Sequence, residues 1–241
     1  MELVESRKQV PDLIFLPSVD STNLELERRL QTGAPDYTVL VAAEQTAGLG
    51  RLGRSWVSQP GASLSLSVLL GPMAPEVASL STLLAATAVH RALSGNYPNA
   101  KFEIKWPNDI LVGGQKVCGI LATLKSERVI LGIGVNLQTQ AGTPDTATSL
   151  SELGPTSFDV TLAAILRELN QLLFTSEPAA RSAMEYLRAN CITLNSQVRA
   201  QLPDGSEILG LATAITDQGL LVIEGDETVE LAAGDVWHLR N

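Results

Sequence analysis

The run Gly48-Leu49-Gly50-Arg51-Leu52-Gly53-Arg54-Ser55 constrains this chain more than any other stretch. It satisfies one phosphate-loop pattern, nearly satisfies a second, and has the flanks of neither. Gly48, Gly50 and Gly53 fit the G-x-G-x-x-G of dinucleotide-binding folds, and only Arg54 in place of Lys separates Gly48–Ser55 from G-x-x-x-x-G-K-[ST]. Both loops must run from a strand into a helix whose first N–H groups hold the phosphates. Residues 38–43 read as a strand, but Ser55-Trp56-Val57-Ser58-Gln59-Pro60-Gly61 is broken by Pro and Gly. It leads into the alternating run Leu64–Leu70, another strand. The first acidic residue after Arg54 is Glu76, so the ribose-binding carboxylate of a dinucleotide fold is missing as well. The element is strand-loop-strand. Its glycines still allow close backbone approach, and Arg51 and Arg54 can grip carboxylate or phosphate oxygens in bidentate fashion. A flexible hairpin with two solvated arginines is the competing reading of the loop alone.

Composition narrows the remaining classes. At 241 residues and 45% hydrophobic, the chain can bury a large core or pair one domain with a smaller companion. A formal charge of −9 argues against general attraction to nucleic acid or anionic membrane, because such affinity needs a basic face. Cys118 and Cys191 are the only cysteines, and His90 and His238 the only histidines. A disulfide framework, a structural zinc site and a histidine triad are therefore not expected, and a reducing cytoplasm fits. Met1–Gln9 lacks the apolar core of a signal peptide. Val77–Val89 falls short of the roughly 20 residues of a membrane span and reads as a buried helix.

The rest of the chain reads as a strand at 13–16 and a helix from Thr22 through Arg29, with Thr22 and Glu25 at capping-box spacing. A helix at about 76–93 follows, then four strands near 101–106, 110–112, 116–124 and 129–137, and two further helices. Beyond about Asn190 only short strands remain, at the spacing of a small barrel. The expected division is 1–190 and 191–241.

Two more groups of residues stand out. In Lys105-Trp106-Pro107-Asn108-Asp109, Pro107 and Asn108-Asp109 turn the chain, and a hairpin at Gly113-Gly114 returns Lys116 beside the first strand. In Gly132-Ile133-Gly134-Val135-Asn136, glycines interrupt an apolar strand, as they do at bulges and where a ligand approaches closely.

Asp20-Ser21-Thr22-Asn23, Gln45 through Arg54 with Trp56, Lys105 through Asp109, Lys116 with Gly119, and Gly132 through Asn136 occur together in one order. In that order the chain resembles the biotin protein ligase family, from about Leu13 to Arg240. The resemblance implies an α+β fold: a mixed sheet flanked by helices, related to the catalytic domain of class II aminoacyl-tRNA synthetases, with a C-terminal SH3-like barrel. It implies ATP and biotin as substrates, Mg²⁺ as a companion, and a biotinyl-5′-adenylate formed with release of pyrophosphate. A biotin carboxyl carrier domain is the implied acceptor. Forcing a carboxylate against a polyphosphate is opposed by roughly 4 kcal/mol for unit charges about 4 Å apart at an effective dielectric of about 20, so cations must be supplied. By resemblance Arg51 and Lys116 are the catalytic cations. The biotin site comprises Ser21, Thr22, Asn23, Gln45, Gly48, Leu49, Gly50, Arg51, Trp106, Lys116 and Gly119. The nucleotide site comprises Arg51, Arg54, Trp56, Asn108, Lys116, Asn136 and Arg240, with Asp109 as the candidate metal ligand. Ser21 and Thr22 can also serve simply as helix caps.

Leu49 departs from the family pattern, which usually has a further Arg there. With about a dozen residues before the first strand, no DNA-binding module is expected at the N-terminus, and no nucleic-acid or membrane partner. Pairing of two copies through a sheet edge is open. A lipoate-type ligase would share the fold, but its Arg-Arg-x-Ser-Gly-Gly-Gly loop is absent. A noncatalytic biotin-binding protein is the other alternative, against which Arg51 and Lys116 argue.

Overall fold

The alternation in 64–70 sorts the molecule into two layers. In the computed structural model, which describes residues 1–72, 75–173, 177–202, 205–232 and 234–239, this run is the centre of strand β5 (Ser63–Pro72). Leu64, Leu66 and Val68 enter the main core, while Ser63, Ser65 and Ser67 are buried on the opposite face. Alternate residues of a strand face opposite ways, so one short sequence pattern assigns a greasy face and a polar one.

β5 is the third strand of a seven-stranded sheet ordered β1-β2-β5-β9-β8-β7-β6. The others are β1 (Ile14–Leu16), β2 (Val39–Ala42), β6 (Phe102–Lys105), β7 (Asp109–Val112), β8 (Gln115–Lys125) and β9 (Arg128–Asn136). β1 and β2 run parallel and every other pairing is antiparallel, so the sheet is mixed, as expected. Helices α3 (Pro75–Asn96), α4 (Phe158–Leu173) and α5 (Glu177–Asn190) contribute to the core on the leucine face. α2 (Thr22–Gln31) lies on the other face, where Leu26 closes a small cluster with Leu40, Leu69 and Ile130. Full burial of a leucine such as Leu26 contributes about 1.5–3 kcal/mol, enough to hold α2 in place. Among the described residues no helix is long and apolar enough to cross a membrane.

The C-terminal strands β10 (Gln197–Gln201), β11 (Glu207–Ile215), β12 (Leu221–Glu224), β13 (Thr228–Leu231) and β14 (Val236–His238) form an antiparallel sheet ordered β13-β12-β11-β10-β14. Its ladders run from β13 to β14, and among the described residues no rung joins these two end strands. Val198, Ala200, Leu221, Ile223 and Val236 join the same core cluster as α3 and α5. The seam is also hydrogen-bonded: Trp106 N–H donates to Thr193 Oγ1 at 3.1 Å, and Arg188 Nε donates to the Ile215 carbonyl at 2.8 Å.

Three features differ from the sequence reading. The stretch from Gln45 to Ser58 holds its own hairpin, β3 (Gln45–Leu49) and β4 (Ser55–Ser58), joined by a 3-10 turn at Arg51–Gly53. Its apolar content is too low for periodicity to reveal it. A short helix, α1 (Val4–Gln9), precedes β1 and is capped from a distance, since the Asp159 carboxylate accepts from Glu5 N at 2.8 Å and Ser6 N at 2.9 Å. The capping box at Thr22 and Glu25 does not form. Ser21 is the N-cap without a side-chain bond, and Glu25 is taken by Arg28 and Arg29 at 2.9 and 2.8 Å.

Candidate active site on the glycine face of the sheet

The face of the sheet that carries the β5 serines is where the strand glycines fall. A Cβ added to Gly119 would lie 2.8 Å from Lys116 Nζ, and one on Gly134 would lie 2.5 Å from Trp56 Cε2. At Gly132 it would run into the Asn23 carboxamide. Lys116, Trp56 and Asn23 therefore approach the sheet more closely than any other residue type at these positions allows.

Around these glycines lies a narrow cleft that encloses about 430 Å³ of empty space, part of it open to solvent. The start of α2 supplies Ser21, Thr22 and Asn23, all largely buried. Asp20 fixes that turn by accepting from Ser21 N at 2.7 Å and from the Arg28 guanidinium at 2.7 and 2.9 Å. The hydrogen bonds from Arg28 and then from Ser21 pull its pKa down to about 2. From β3, Gln45 Oε1 accepts from Thr22 N at 2.7 Å and Thr22 Oγ1 at 3.0 Å. Ser67 Oγ lies 2.8 Å from Thr22 Oγ1 and 2.6 Å from Asn23 Oδ1. Three buried donors, Asn23 Nδ2, Trp56 Nε1 and Ser65 Oγ, have no hydrogen-bond partner among the described residues, and Asn23 and Trp56 line the cavity. A buried donor left unpaired costs about 1–3 kcal/mol, so a ligand acceptor here would be strongly favoured.

A second opening of about 480 Å³ adjoins the first at Asn108 and Lys116 and is bounded by both sheets. Arg51 enters it from the glycine loop, donating from Nη1 to Asn108 Oδ1 at 2.9 Å and from Nη2 to the Gly234 carbonyl at 3.3 Å. Burial draws the Arg51 pKa below that of a free guanidinium. Asn108 Nδ2 donates to the Ile120 carbonyl at 3.1 Å, which fixes its orientation. Arg54 forms an ion pair with Asp235, and Lys116 forms one with Asp109 at 2.7 Å. Lys116 Nζ also stands 5.7 Å from the Trp56 ring centroid, within cation–π range. Lys105 lines the same opening; burial lowers its pKa, and its ammonium makes no hydrogen bond or ion pair among the described residues.

Most of the expected residues meet at these two cavities. Ser21, Thr22, Asn23, Gln45, Leu49, Gly50, Trp56, Asn108, Lys116 and Gly119 line the first. Arg51, Arg54, Trp106, Asn108, Asp109 and Lys116 line the second. Some sit differently from their expected roles. Trp56, expected on the nucleotide side, covers Gly119 and Gly134 within the first cavity. Trp106, expected along biotin, lies outside that cavity; it is buried at the seam, with Nε1 donating to the Gly219 carbonyl at 3.1 Å. Asn136 is turned inward, donating to the Thr148 carbonyl at 2.9 Å and the Lys116 carbonyl at 3.4 Å, so it braces the Lys116 backbone. Gly48 lies within the β3–β4 hairpin, where a Cβ would meet the Trp56 carbonyl at 2.6 Å. Arg240 lies outside the described residues. Asp109 as a metal ligand is at odds with its pairing to Lys116, and no group of three or more His, Cys, Asp or Glu side chains that could hold a metal occurs among the described residues. The side chains present among the described residues do not fit a protein-held magnesium ion.

Several lining residues were not among the expected ones. Gly132 and Gly134 carried a signal, two glycines in an apolar strand. Lys105 carried one too, because it ends a strand whose alternate residues Phe102 and Ile104 are buried. Asp235 carried none: its partner Arg54 is 181 positions away.

Comparison with known proteins agrees with this geometry. Residues 15–139 match the model of the biotin/lipoate A/B protein ligase family, and residues 193–239 match the biotin protein ligase C-terminal domain. The chain is 40% identical over 231 residues to the biotin–[acetyl-CoA-carboxylase] ligase of Mycobacterium tuberculosis, covering 91% of this chain and 86% of that one. It is 32% identical over 237 residues to the bifunctional ligase/repressor BirA of Bacillus subtilis, covering 90% and 71%. Among solved structures, the biotin protein ligase of Aquifex aeolicus in complex with biotin and ATP superposes with a TM-score of 0.80 at 29% identity, covering 95% of this chain and 99% of that one.

Proposed function

The chain belongs to the biotin/lipoate A/B protein ligase family, and from that premise we propose that it is an ATP-dependent biotin protein ligase. The observation that carries the reading is the junction of the two cavities at Lys116 and Asn108. One side offers polar partners in a partly apolar recess and the other offers cations. A two-substrate reaction that joins a carboxylate to a nucleotide needs both sides to meet at one point.

Biotin occupies the first cavity. Its ureido group is held by Ser21, Thr22, Asn23 and Gln45, and its chain runs over Gly119 beneath Leu49, Gly50 and Trp56. The carboxylate reaches Lys116 and Arg51. ATP places its α-phosphate at the junction, with Arg51, Arg54 and Asn108 on its side and Arg240 as a further contact from the C-terminus. A carboxylate oxygen attacks the α-phosphorus as the bond to the β-phosphate oxygen breaks, and pyrophosphate leaves. Lys116 and Arg51 stabilise the charge that builds on the phosphoryl oxygens, as preorganised cations and not as proton carriers. The biotinyl group then passes to a lysine amine of a biotin carboxyl carrier domain, and AMP departs.

The C-terminal sheet is read as an SH3-like barrel appended at about residue 191 to a class II synthetase-like catalytic domain of residues 1–190. The expected setting is the cytoplasm, without nucleic acid or membrane. The outer edge of β1, an end strand of the large sheet, is the one through which two copies could pair.

The test is exchange of labelled pyrophosphate into ATP, with and without biotin, with a carrier domain added in parallel and Lys116→Ala as the control. Biotin-dependent exchange that collapses in the variant, together with labelling of the carrier, is the expected result. Biotin binding without exchange would sink the ligase reading and leave a binding protein.

A further inference from the structure

We propose that the cavity at the seam of the two sheets holds the departing pyrophosphate, and that Lys105 is the phosphate-contacting residue that receives its charge. The assignment deepens the adenylation reading above and rests on it.

The register of the large sheet gives the direction. Lys105 pairs with Asp109, Asp109 with Gly119, and Gly119 with Gly134, so these four residues form one row across β6, β7, β8 and β9. Neighbouring strands are about 4.8 Å apart, which puts Lys105 about 10 Å from Gly119 and farther still from Gly134. The first cavity lies over the two glycines, and Lys116 reaches the row at its middle, at Asp109 and Gly119. In an in-line displacement the leaving oxygen is opposite the attacking one. A carboxylate that attacks from the glycine end expels pyrophosphate toward the Lys105 end.

The charges at that end are arranged to receive it. Four cationic side chains, Arg51, Arg54, Lys105 and Lys116, face two carboxylates, Asp109 and Asp235. Three of the cations are engaged: Arg51 with Asn108 and Gly234, Arg54 with Asp235, and Lys116 with Asp109. The Lys105 ammonium alone has neither a hydrogen bond nor an ion pair among the described residues, although the residue is half-buried. Burial without a partner disfavours an ammonium ion and lowers its pKa; Asp109 and Asp235 offset this only from beyond contact distance. A polyphosphate bound here would relieve that penalty. The ammonium keeps its proton throughout. As the bond from the α-phosphorus to the bridging oxygen breaks, the electron pair stays on that oxygen, and Lys105 donates hydrogen bonds to the resulting anion.

The experiment uses the full-length protein and inorganic pyrophosphate as the probe, measured by titration calorimetry beside biotin binding and thermal unfolding. Lys105→Met should weaken pyrophosphate by about tenfold or more, the loss expected for a charge-assisted contact, and leave biotin affinity within about twofold. In exchange assays the KM for pyrophosphate should rise more than kcat falls. Lys105→Arg, which keeps the charge, should recover most of the affinity. Pyrophosphate binding that is unchanged in the methionine variant, or absent from the wild type, overturns the assignment. So does an arginine variant as impaired as the methionine one, since that would mark a role in packing. A wild-type protein that binds pyrophosphate but not biotin would refute the proposed function and leave this readout standing.

Discussion

Arg54 of the glycine loop and Asp235 of the C-terminal sheet form an ion pair across 181 positions of sequence, and Arg51 adds a hydrogen bond to the neighbouring Gly234 carbonyl. The loop is thus fastened to the far side of the seam. Arg54 is largely exposed, so the pair contributes only about 0–1 kcal/mol to global stability. Its effect is local. Asp235→Asn should leave the melting temperature nearly unchanged and speed trypsin cleavage after Arg54 in the ligand-free protein. Equal cleavage rates in the two proteins would show that the ion pair does not hold the loop.

Gly134 has no space for a methyl group, because a Cβ there would sit 2.5 Å from the Trp56 ring. Gly134→Ala must therefore lift Trp56 off the sheet. Overpacking of this kind costs about 1–3 kcal/mol. Since the indole forms one wall of the first cavity, that cost is expected mainly in biotin affinity, weakened by about tenfold or more, with the fold retained. Equilibrium biotin binding beside circular dichroism checks it.

Lys116 shares with Asn108 the position common to both cavities, and it also pairs with Asp109 at 2.7 Å. Lys116→Ala should reduce the rate of adenylate formation by about 10²–10³, the usual loss for one preorganised electrostatic contact in a transition state. Biotin affinity should fall less, because Ser21, Thr22, Asn23 and Gln45 still hold the ureido end and only one of the two cations at the carboxylate is lost. Single-turnover adenylation beside equilibrium binding separates the two quantities. A loss confined to binding would contradict the role given to Lys116.

Asp159 caps α1 from the start of α4, and its pKa reflects that position. Burial alone would raise it, but the hydrogen bonds from the Ser6 side chain and from the Glu5 and Ser6 N–H groups prevail and hold it below the ordinary aspartate value. A carboxyl group whose folded pKa is depressed stabilises the fold above the unfolded value and loses that contribution as pH falls through the folded value. Asp159→Ala should therefore cost about 0.5–2 kcal/mol near neutrality, as other cap removals do. The gap between variant and wild type should close below about pH 4, where the unfolded carboxyl begins to protonate. Urea titrations at several pH values measure it, and a gap independent of pH would exclude the capping carboxylate as its source.

How far the sequence could be read depended on how local each signal was. Strands β5 and β9 were plain, because alternation and an apolar run are properties of neighbouring residues. The role of Gly132 and Gly134 was half visible: glycines in a strand announce a close approach, but that Asn23 and Trp56 make it depends on contacts more than 70 positions apart. The β3–β4 hairpin was hidden by its glycines and polar residues, which leave periodicity nothing to register. Thr22 and Glu25 had the spacing of a capping box, but Gln45 takes the threonine hydroxyl from across the fold, and Arg28 and Arg29 of the same helix take the carboxylate. Trp106 stands in a motif rich in site residues and turned out to serve the seam, because an indole that size found a carbonyl acceptor at Gly219.

The seam also bears on how the protein unfolds. Val198, Leu221 and Val236 of the C-terminal sheet and Leu83, Val89 and Leu187 of the helices belong to a single apolar cluster, so neither part can shed the other without exposing its own interior. Cooperativity follows from shared burial. The molecule should melt in one calorimetric transition, and a truncation at residue 190 would yield a sticky, poorly folded fragment and not a smaller enzyme, because the strands that wall the nucleotide side are also part of what keeps the catalytic sheet dry.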